Sequence, residues 1–248
     1  CGNRALGYGR SADNIAALDL LTASGERIQV GRDVAVASPL LGRLENLVSE
    51  NLATVRTEFG RFGRQVSGYS LEHLLPENQF DVGSFMAGTE GTLAVILGAT
   101  VDLVQDAPFR HLVLLSYPTM AEAADNVPAI LPFNPIACEG LGSRIVDAYR
   151  RANGVSSVPD LPPGDGFPYV EIAGEDPSEL QAIADQVVRA GGAIGHRHVT
   201  SMVEQAVLWR IREEGAGLAA RVWDRPALAG WEDAAVPPEK LGGYLRRF

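Results

Sequence analysis

Apolar positions in the first hundred residues change period several times, and each change marks an element. From Ile15 to Gly31, "IAALDLLTASGERIQVG", they alternate on either side of Ala23-Ser24-Gly25-Glu26, the pattern of a β-hairpin. From Leu40 to Phe59 the period lengthens. Leu41, Leu44, Leu47, Val48, Leu52 and Val55 recur three and four apart and predict one amphipathic helix, with Pro39 in its first turn. "SLEHLLPE" predicts a short helix capped by Ser70 and stopped by Pro76, and "FDVGSFMAG" predicts another. "TLAVILGATVDLV" predicts one long strand bent at Gly98.

Beyond the polar stretch Gln105 to Pro108, strands and helices alternate. "FRHLVLLSYP", "PIACEGLG", "YVEIAG" and "AIGHRHVT" predict strands. "TMAEAADNVPAILP" predicts a helix capped by Thr119, "SRIVDAYRRA" a second, and "DPSELQAIADQVVRAGG" a third, with Pro177 near its start and glycine at its end. Two β-α-β units of this kind predict an α+β, ferredoxin-like plan, an antiparallel sheet with helices on one face. "SMVEQAVLWRIREEGAGLAAR" adds a long helix, and "WEDAAVPPEKLGGYLRRF" a short strand and the start of a helix. The Pro- and Gly-rich stretch Asn153 to Pro168 predicts no regular structure, and Val222 to Gly230 a further loop.

Composition narrows the function classes. The 248 residues carry 21 basic and 31 acidic side chains, a formal charge of −10. That balance argues against nucleic acid and anionic membranes as main partners. Hydrophobic residues make up 46% and charged residues 21%, which is globular rather than disordered composition. No apolar run approaches the roughly 18 residues that a membrane-spanning helix needs. Two cysteines, Cys1 and Cys138, rule out a disulfide framework and a four-cysteine zinc module. Lys240 is the only lysine, which reflects composition bias rather than function.

Four stretches could carry chemistry. In "GTEGTLAVI", Gly88 to Ile96, two glycines flank Thr89-Glu90 before a strand, so a ligand could approach the backbone closely; a tight turn explains the same residues. The opening "CGNRALGYGR" has Gly2, Gly7 and Gly9 around Tyr8, without the dinucleotide spacing. In "LWRIREE", Arg210 and Arg212 point to different faces of a helix. Glu213 and Glu214 could pair with either, or one arginine could hold a carboxylate in a cleft. His196 and His198 share a strand face, but two imidazoles without a third ligand do not make a metal site. His73 and His111 read as surface or structural residues and Cys138 as a small core residue.

Taken in order, "CGNRALGYGRSADNIAALDLLTASGERI", "RQVSGYSLEHLLPE", "GTEGTLAVI", "LWRIREE" and "EDAAVPPEKL" resemble the FAD-linked oxidases of the vanillyl-alcohol oxidase (PCMH-type) superfamily, in its glycolate oxidase / D-lactate dehydrogenase branch. The resemblance implies that residues 1–106 are the second half of a PCMH-type FAD-binding domain and residues 107–248 a ferredoxin-like cap domain. It implies FAD as cofactor, held by Gly2, Asn3, Tyr8 and Gly9 at the end of a loop past the flavin ring. Gly88, Glu90, Gly91, Leu93, Ala94 and Val95 would lie along the rest of the cofactor. Arg212 matches the arginine of a Trp-x-x-Arg-Glu pattern, completed by Trp209 and Glu213, that holds the substrate carboxylate. The implied activity is oxidation of a 2-hydroxy acid-like substrate by hydride transfer to the flavin. An unidentified electron acceptor, a homodimer, and a cytoplasmic or peripheral membrane location go with it.

The chain also departs from the family. The glycine-rich pyrophosphate loop that precedes these motifs in relatives is missing. So are the later histidines that supply metal ligands and the base, so no metal site is expected. Trp231 stands two residues before Asp233, where some 2-hydroxyacid relatives carry a lysine. The chain therefore reads as an internal fragment that binds FAD weakly by itself. The rival expectation is a non-catalytic ferredoxin-like module that binds a small molecule or dimerises.

Overall fold

The computed structural model describes residues 2–32, 34, 38–63, 65, 68–221 and 235–247. The chain divides into two compact units. One is Gly9–Gln105, and the other joins Gly2–Tyr8, including the one-turn helix α1 (Ala5–Tyr8), to the chain from Asp106 onward.

In the first unit the hairpin forms as the alternation predicts, with β1 (Ile15–Thr22) antiparallel to β2 (Arg27–Gly31). Leu18 faces Val30 and Leu20 faces Ile28, and all four are buried. The predicted helix over 40–59 is two helices, α2 (Pro39–Glu50) and α3 (Leu52–Glu58). Asn51 leaves the helical conformation at φ −119° and ψ 17°, and its side-chain amide donates to the Leu47 carbonyl at 2.8 Å. A short amide competes in this way with the helix's own backbone bonds. Pro39 opens α2 behind Ser38, whose hydroxyl accepts from the Leu40 N–H. The stretch after Ser70 is a pair of 3-10 turns, Leu71–Leu74 and Pro76–Asn78, and Ser70 makes no side-chain cap. Helix α4 (Val82–Ala87) is capped by Asp81.

Strand β3 (Ala94–Val101) pairs antiparallel with β1 and completes the sheet order β2-β1-β3. Its register jumps from Leu20↔Ile96 to Asp19↔Gly98, so Leu97 is an extra residue beside the glycine expected to bend the strand. Val48, Val55, Leu74, Phe85 and Met86 close the core over the hairpin.

The second unit holds β4 (Phe109–Ser116), α5 (Met120–Ile130), β5 (Ala137–Gly142), α6 (Ser143–Asn153), β6 (Gly166–Gly174), α7 (Pro177–Gly191), β7 (Gly195–Val199), α8 (Met202–Ala219) and α9 (Pro238–Leu245). The sheet order β5-β6-β4-β7, antiparallel throughout, is the ferredoxin-like order. The helices differ from the one-faced plan. Helices α5 and α7 cover Val113, Leu115, Val170 and Ile172. Helices α6 and α8 cover Leu112, Leu114, Phe167 and Tyr169 on the opposite face. The reason is in β4, where residues 112–115 are apolar without alternation and fully buried, as a strand covered on both sides must be.

The proline-rich stretch also contributes structure. Val155–Ser157 form a 3-10 turn, and β6 starts at Gly166, so Pro168 lies within a strand, opposite Gly140. Cys138 sits among the residues under α5 and α7, and burial pushes its thiol up to about 12, so it stays protonated. The strand and loop predicted over 222–234, Cys1, Trp231 and Asp233 lie outside the described residues.

The rings of His111 on β4 and His198 on β7 meet at a 60° tilt, with centroids 4.8 Å apart. Burial holds both imidazoles below their ordinary value of 6.5, and the mutual charge lowers His111 further. For His198 the Asp185 carboxylate opposes the shift and His196 adds to it. The unfolded chain therefore binds more protons than the native one between the lowered folded values and 6.5. Stability of this unit should fall as pH drops through that window and then level off. Thermal melts from pH 7.5 to 5 should show the decline in the wild type, with a shallower slope in His198→Gln. Equal slopes would remove the histidine pair as its source.

Candidate active site

The site forms where α8 crosses the sheet face it shares with α6. Helix α8 starts on a capping arrangement: Ser201 accepts from the Glu204 N–H, and Glu204 pairs with Arg197 of β7. One turn on, the buried Gln205 amide donates to the carbonyls of Arg110 and Val199 at 2.8 and 3.0 Å. These bonds set the height and rotation of the helix on the sheet. Leu208 and Ile211 then enter the core, and Arg212 emerges at its edge.

Arg212 does not pair with the acids beside it in the sequence. Its Nη2 donates to the Glu139 carboxylate of β5 at 2.8 Å. Glu213 instead accepts from the Asn3 side chain at 3.0 Å, and Glu214 lies 4.0 Å from Arg210 on the exposed side. So the two arginines do point to different faces, as the helical spacing predicts, and only Arg212 is drawn onto the sheet.

Around this ion pair lie buried polar atoms without a hydrogen-bond partner among the described residues: Arg212 Nε, Trp209 Nε1 and Tyr169 Oη. Trp209 precedes Arg212 by one turn, and its ring meets Tyr169 edge-on at 5.7 Å. Tyr169 in turn faces Glu139 across the β5–β6 ladder. Burial raises the Tyr169 hydroxyl well above its ordinary value, so it keeps its proton and can donate. The result is three buried donors without partners among the described residues, on side chains of the α8–β6 packing that also carries the Arg212–Glu139 pair, a set suited to an anion or a carbonyl oxygen.

A second ion pair lies on the same face of the sheet. Arg4 donates through Nε and Nη2 to Glu171 at 2.7 and 3.0 Å, and the Glu171 side chain is 0% exposed. The opening segment is held further by the Gly7 N–H on the Ile136 carbonyl at 3.2 Å and by the Tyr8 hydroxyl, which donates to Asp106 at 2.9 Å. The structure thus brings Asn3 and Arg212 into one neighbourhood through Glu213. Gly2 is exposed, and Gly9 turns the chain at φ +79° at the start of the first unit.

The remaining predicted residues lie in the first unit. Gly88 ends α4, and the chain then turns through Glu90 at φ +52° and Gly91 at φ +72°. Glu90 in this left-handed region is uncommon for a residue with a side chain. A Cβ added at Gly88 or Gly91 would meet nothing within 4 Å. The Thr92 hydroxyl bonds to the Thr89 carbonyl and lies 2.8 Å from the Tyr69 hydroxyl, which braces the turn. Ala94 is buried, while Leu93 and Val95 are exposed, and the outer edge of β3 carries no strand among the described residues.

Sequence reasoning missed Glu139, Tyr169 and the Arg4–Glu171 pair. A signal was present for the acids: each interrupts an otherwise apolar strand, "IACEGLG" and "FPYVEIAG", and a charge in such a place needs a partner. Nothing local marks Arg4 as that partner. Among the described residues no group of three His, Cys, Asp or Glu could hold a metal ion, and no helix is long and apolar enough to cross a membrane.

The D-2-hydroxyglutarate dehydrogenase of Escherichia coli (strain K12) is 25% identical over 280 residues, an alignment that takes in 100% of this chain and 27% of that protein. The D-lactate dehydrogenase of Archaeoglobus fulgidus is 27% identical over 250 residues, with 99% of this chain and 45% of that protein covered. The chain therefore spans less than half the length of either. Among solved structures, a carbohydrate oxidase from Microdochium nivale in complex with a substrate analogue is similar at a TM-score of 0.40 and 12% identity, over 84% of this chain and 33% of that one. The family described as FAD linked oxidases, C-terminal domain, matches residues 107–248. That match covers more than half of the chain, and the chain belongs to this family.

Proposed function

We propose that the chain is part of an FAD-dependent oxidoreductase that oxidises a 2-hydroxy acid, with Arg212 holding the substrate carboxylate. The observation that carries this reading is the placement of Arg212. Its guanidinium leaves the acids of its own helix and lies half-buried on the sheet, in the α8–β6 packing that holds the buried donors. Two relatives bear names of dehydrogenases of D-2-hydroxy acids, which is the substrate chemistry such a donor set suits.

The residues present fit the cofactor. A turn with two consecutive left-handed residues, open space at Gly88 and Gly91, and a strand edge that is unpaired among the described residues and flanked by exposed Leu93 and Val95 would admit a long, partly apolar molecule along its backbone. Gly88, Glu90, Gly91, Leu93, Ala94 and Val95 would hold it there. FAD, when bound, supplies the acceptor for the two electrons and the hydrogen that leave the α-carbon. The protein's part is orientation. Arg212 would fix the carboxylate, so that the α-carbon presents one C–H bond in a single direction. The inner side of the guanidinium is shut off from water, since Arg212 Nε is buried, which would strengthen its hold on an anion.

The test is the absorbance of the oxidised flavin in the intact enzyme, mixed anaerobically with D-2-hydroxyglutarate, D-lactate or glycolate. Bleaching by at least one of them is the expected result. An oxidised spectrum that persists with all three while the protein still binds them would favour a non-catalytic binding module.

A further inference from the structure

We infer that Glu139 is a positioning residue that sets how strongly Arg212 holds an anion; this rests on the reading that Arg212 takes the substrate carboxylate. Arg212 already has a carboxylate. Glu139 Oε2 accepts from Nη2 at 2.8 Å, with the two side chains 22% and 32% exposed. The other acids nearby have their own partners: Glu171 has Arg4, Glu213 has Asn3 and Glu214 faces Arg210.

Both halves of the pair are fixed from below. Glu139 stands opposite Tyr169 in the β5–β6 register, and Tyr169 packs edge-on against Trp209, one turn before Arg212 on α8. The two charged groups therefore stay together without a ligand. The arginine Nε is buried and unpartnered among the described residues, so an incoming anion must engage the outer nitrogens, beside Glu139.

Two opposing effects follow. Glu139 restricts the guanidinium to one orientation, which spares the entropy of ordering a long side chain on binding. Its negative charge also repels a second carboxylate on the same guanidinium. An uncharged group of the same shape would keep the first effect and remove the second.

The experiment compares Glu139→Gln with Glu139→Ala in the intact enzyme, with acetate as a non-reacting inhibitor and a 2-hydroxy acid as substrate. The Gln variant keeps an oxygen acceptor for Nη2 without the charge. Its KM and its acetate inhibition constant should both fall by roughly two- to fivefold, the range for a partly exposed ion pair. The Ala variant loses the acceptor, and its KM should rise. The amide of the same substrate should show no gain with Gln. A purely structural role predicts that Gln weakens binding in the same direction as Ala, and that result would overturn the inference, as would acetate inhibition equal to wild type in the Gln variant. Arg212→Met separates the two readings: acetate inhibition unaffected by that change removes the arginine itself from the site.

Discussion

Replacing Arg212 with Met should lower kcat/KM for a 2-hydroxy acid by roughly 30- to 800-fold, a loss of about 2–4 kcal/mol for a charged hydrogen bond at a partly desolvated site. Methionine matches the unbranched arginine stem in bulk, and the substitution leaves Leu208, Trp209 and Ile211 of the α8 core in place. Stability should change little, because the two side chains of the Arg212–Glu139 pair are 32% and 22% exposed, and partly solvated pairs of this kind contribute about 1 kcal/mol or less. The loss should therefore appear in kinetics and not in a thermal melt. Arg212→Lys keeps the charge but not the planar fork, and should recover only part of the activity. Unchanged kcat/KM in the Met variant would sink the assignment, and a collapsed melt would show that the pair is structural.

Arg4→Met should destabilise the second unit by about 3 kcal/mol, because it leaves a carboxylate without its partner inside the protein. Glu171 lies on β6 between Leu112 of β4 and Ala137 of β5, with its side chain 0% exposed. Both oxygens are used by Arg4 and by no other side chain among the described residues. The arginine itself is 39% exposed, so water takes over part of its role, which places the estimate at the low end for a broken buried pair. Urea unfolding followed by far-UV circular dichroism measures the change. Arg4→Met combined with Glu171→Leu should recover most of the loss, since the buried charge is then gone as well. A single variant that unfolds at the wild-type midpoint would show that Glu171 finds another partner. The pair has a functional side too: it anchors the opening segment whose Asn3 reaches Glu213, next to Arg212.

The elements with a repeating pattern were legible from the chain alone. Alternation marked the β1–β2 hairpin and the leucine spacing marked α2 and α3, since burying one face imposes a period that the sequence must carry. The break at Asn51 was not legible, because it depends on one amide choosing the Leu47 carbonyl over solvent. The strands of the second unit showed the ferredoxin-like order, but the second helix layer was missed. Its signal is the unbroken apolar run in β4, which marks a strand and, by its lack of alternation, also burial on both faces.

The site divides in the same way. The chain by itself determined which side chains are available: an arginine in a helix, glycines before a strand, and acids inside apolar strands. Local chemistry and periodicity act over a few residues, so a single sequence can display them. Only the tertiary structure decided the pairs. Arg212 meets Glu139 across 73 positions, and Arg4 meets Glu171 across 167. Such partners are selected by the sheet register and by the seating of α8 on it, and by the penalty for leaving a buried charge alone. No spacing rule within the chain encodes those distances, so the helix acids that lie nearest Arg212 in sequence proved to belong to other partners.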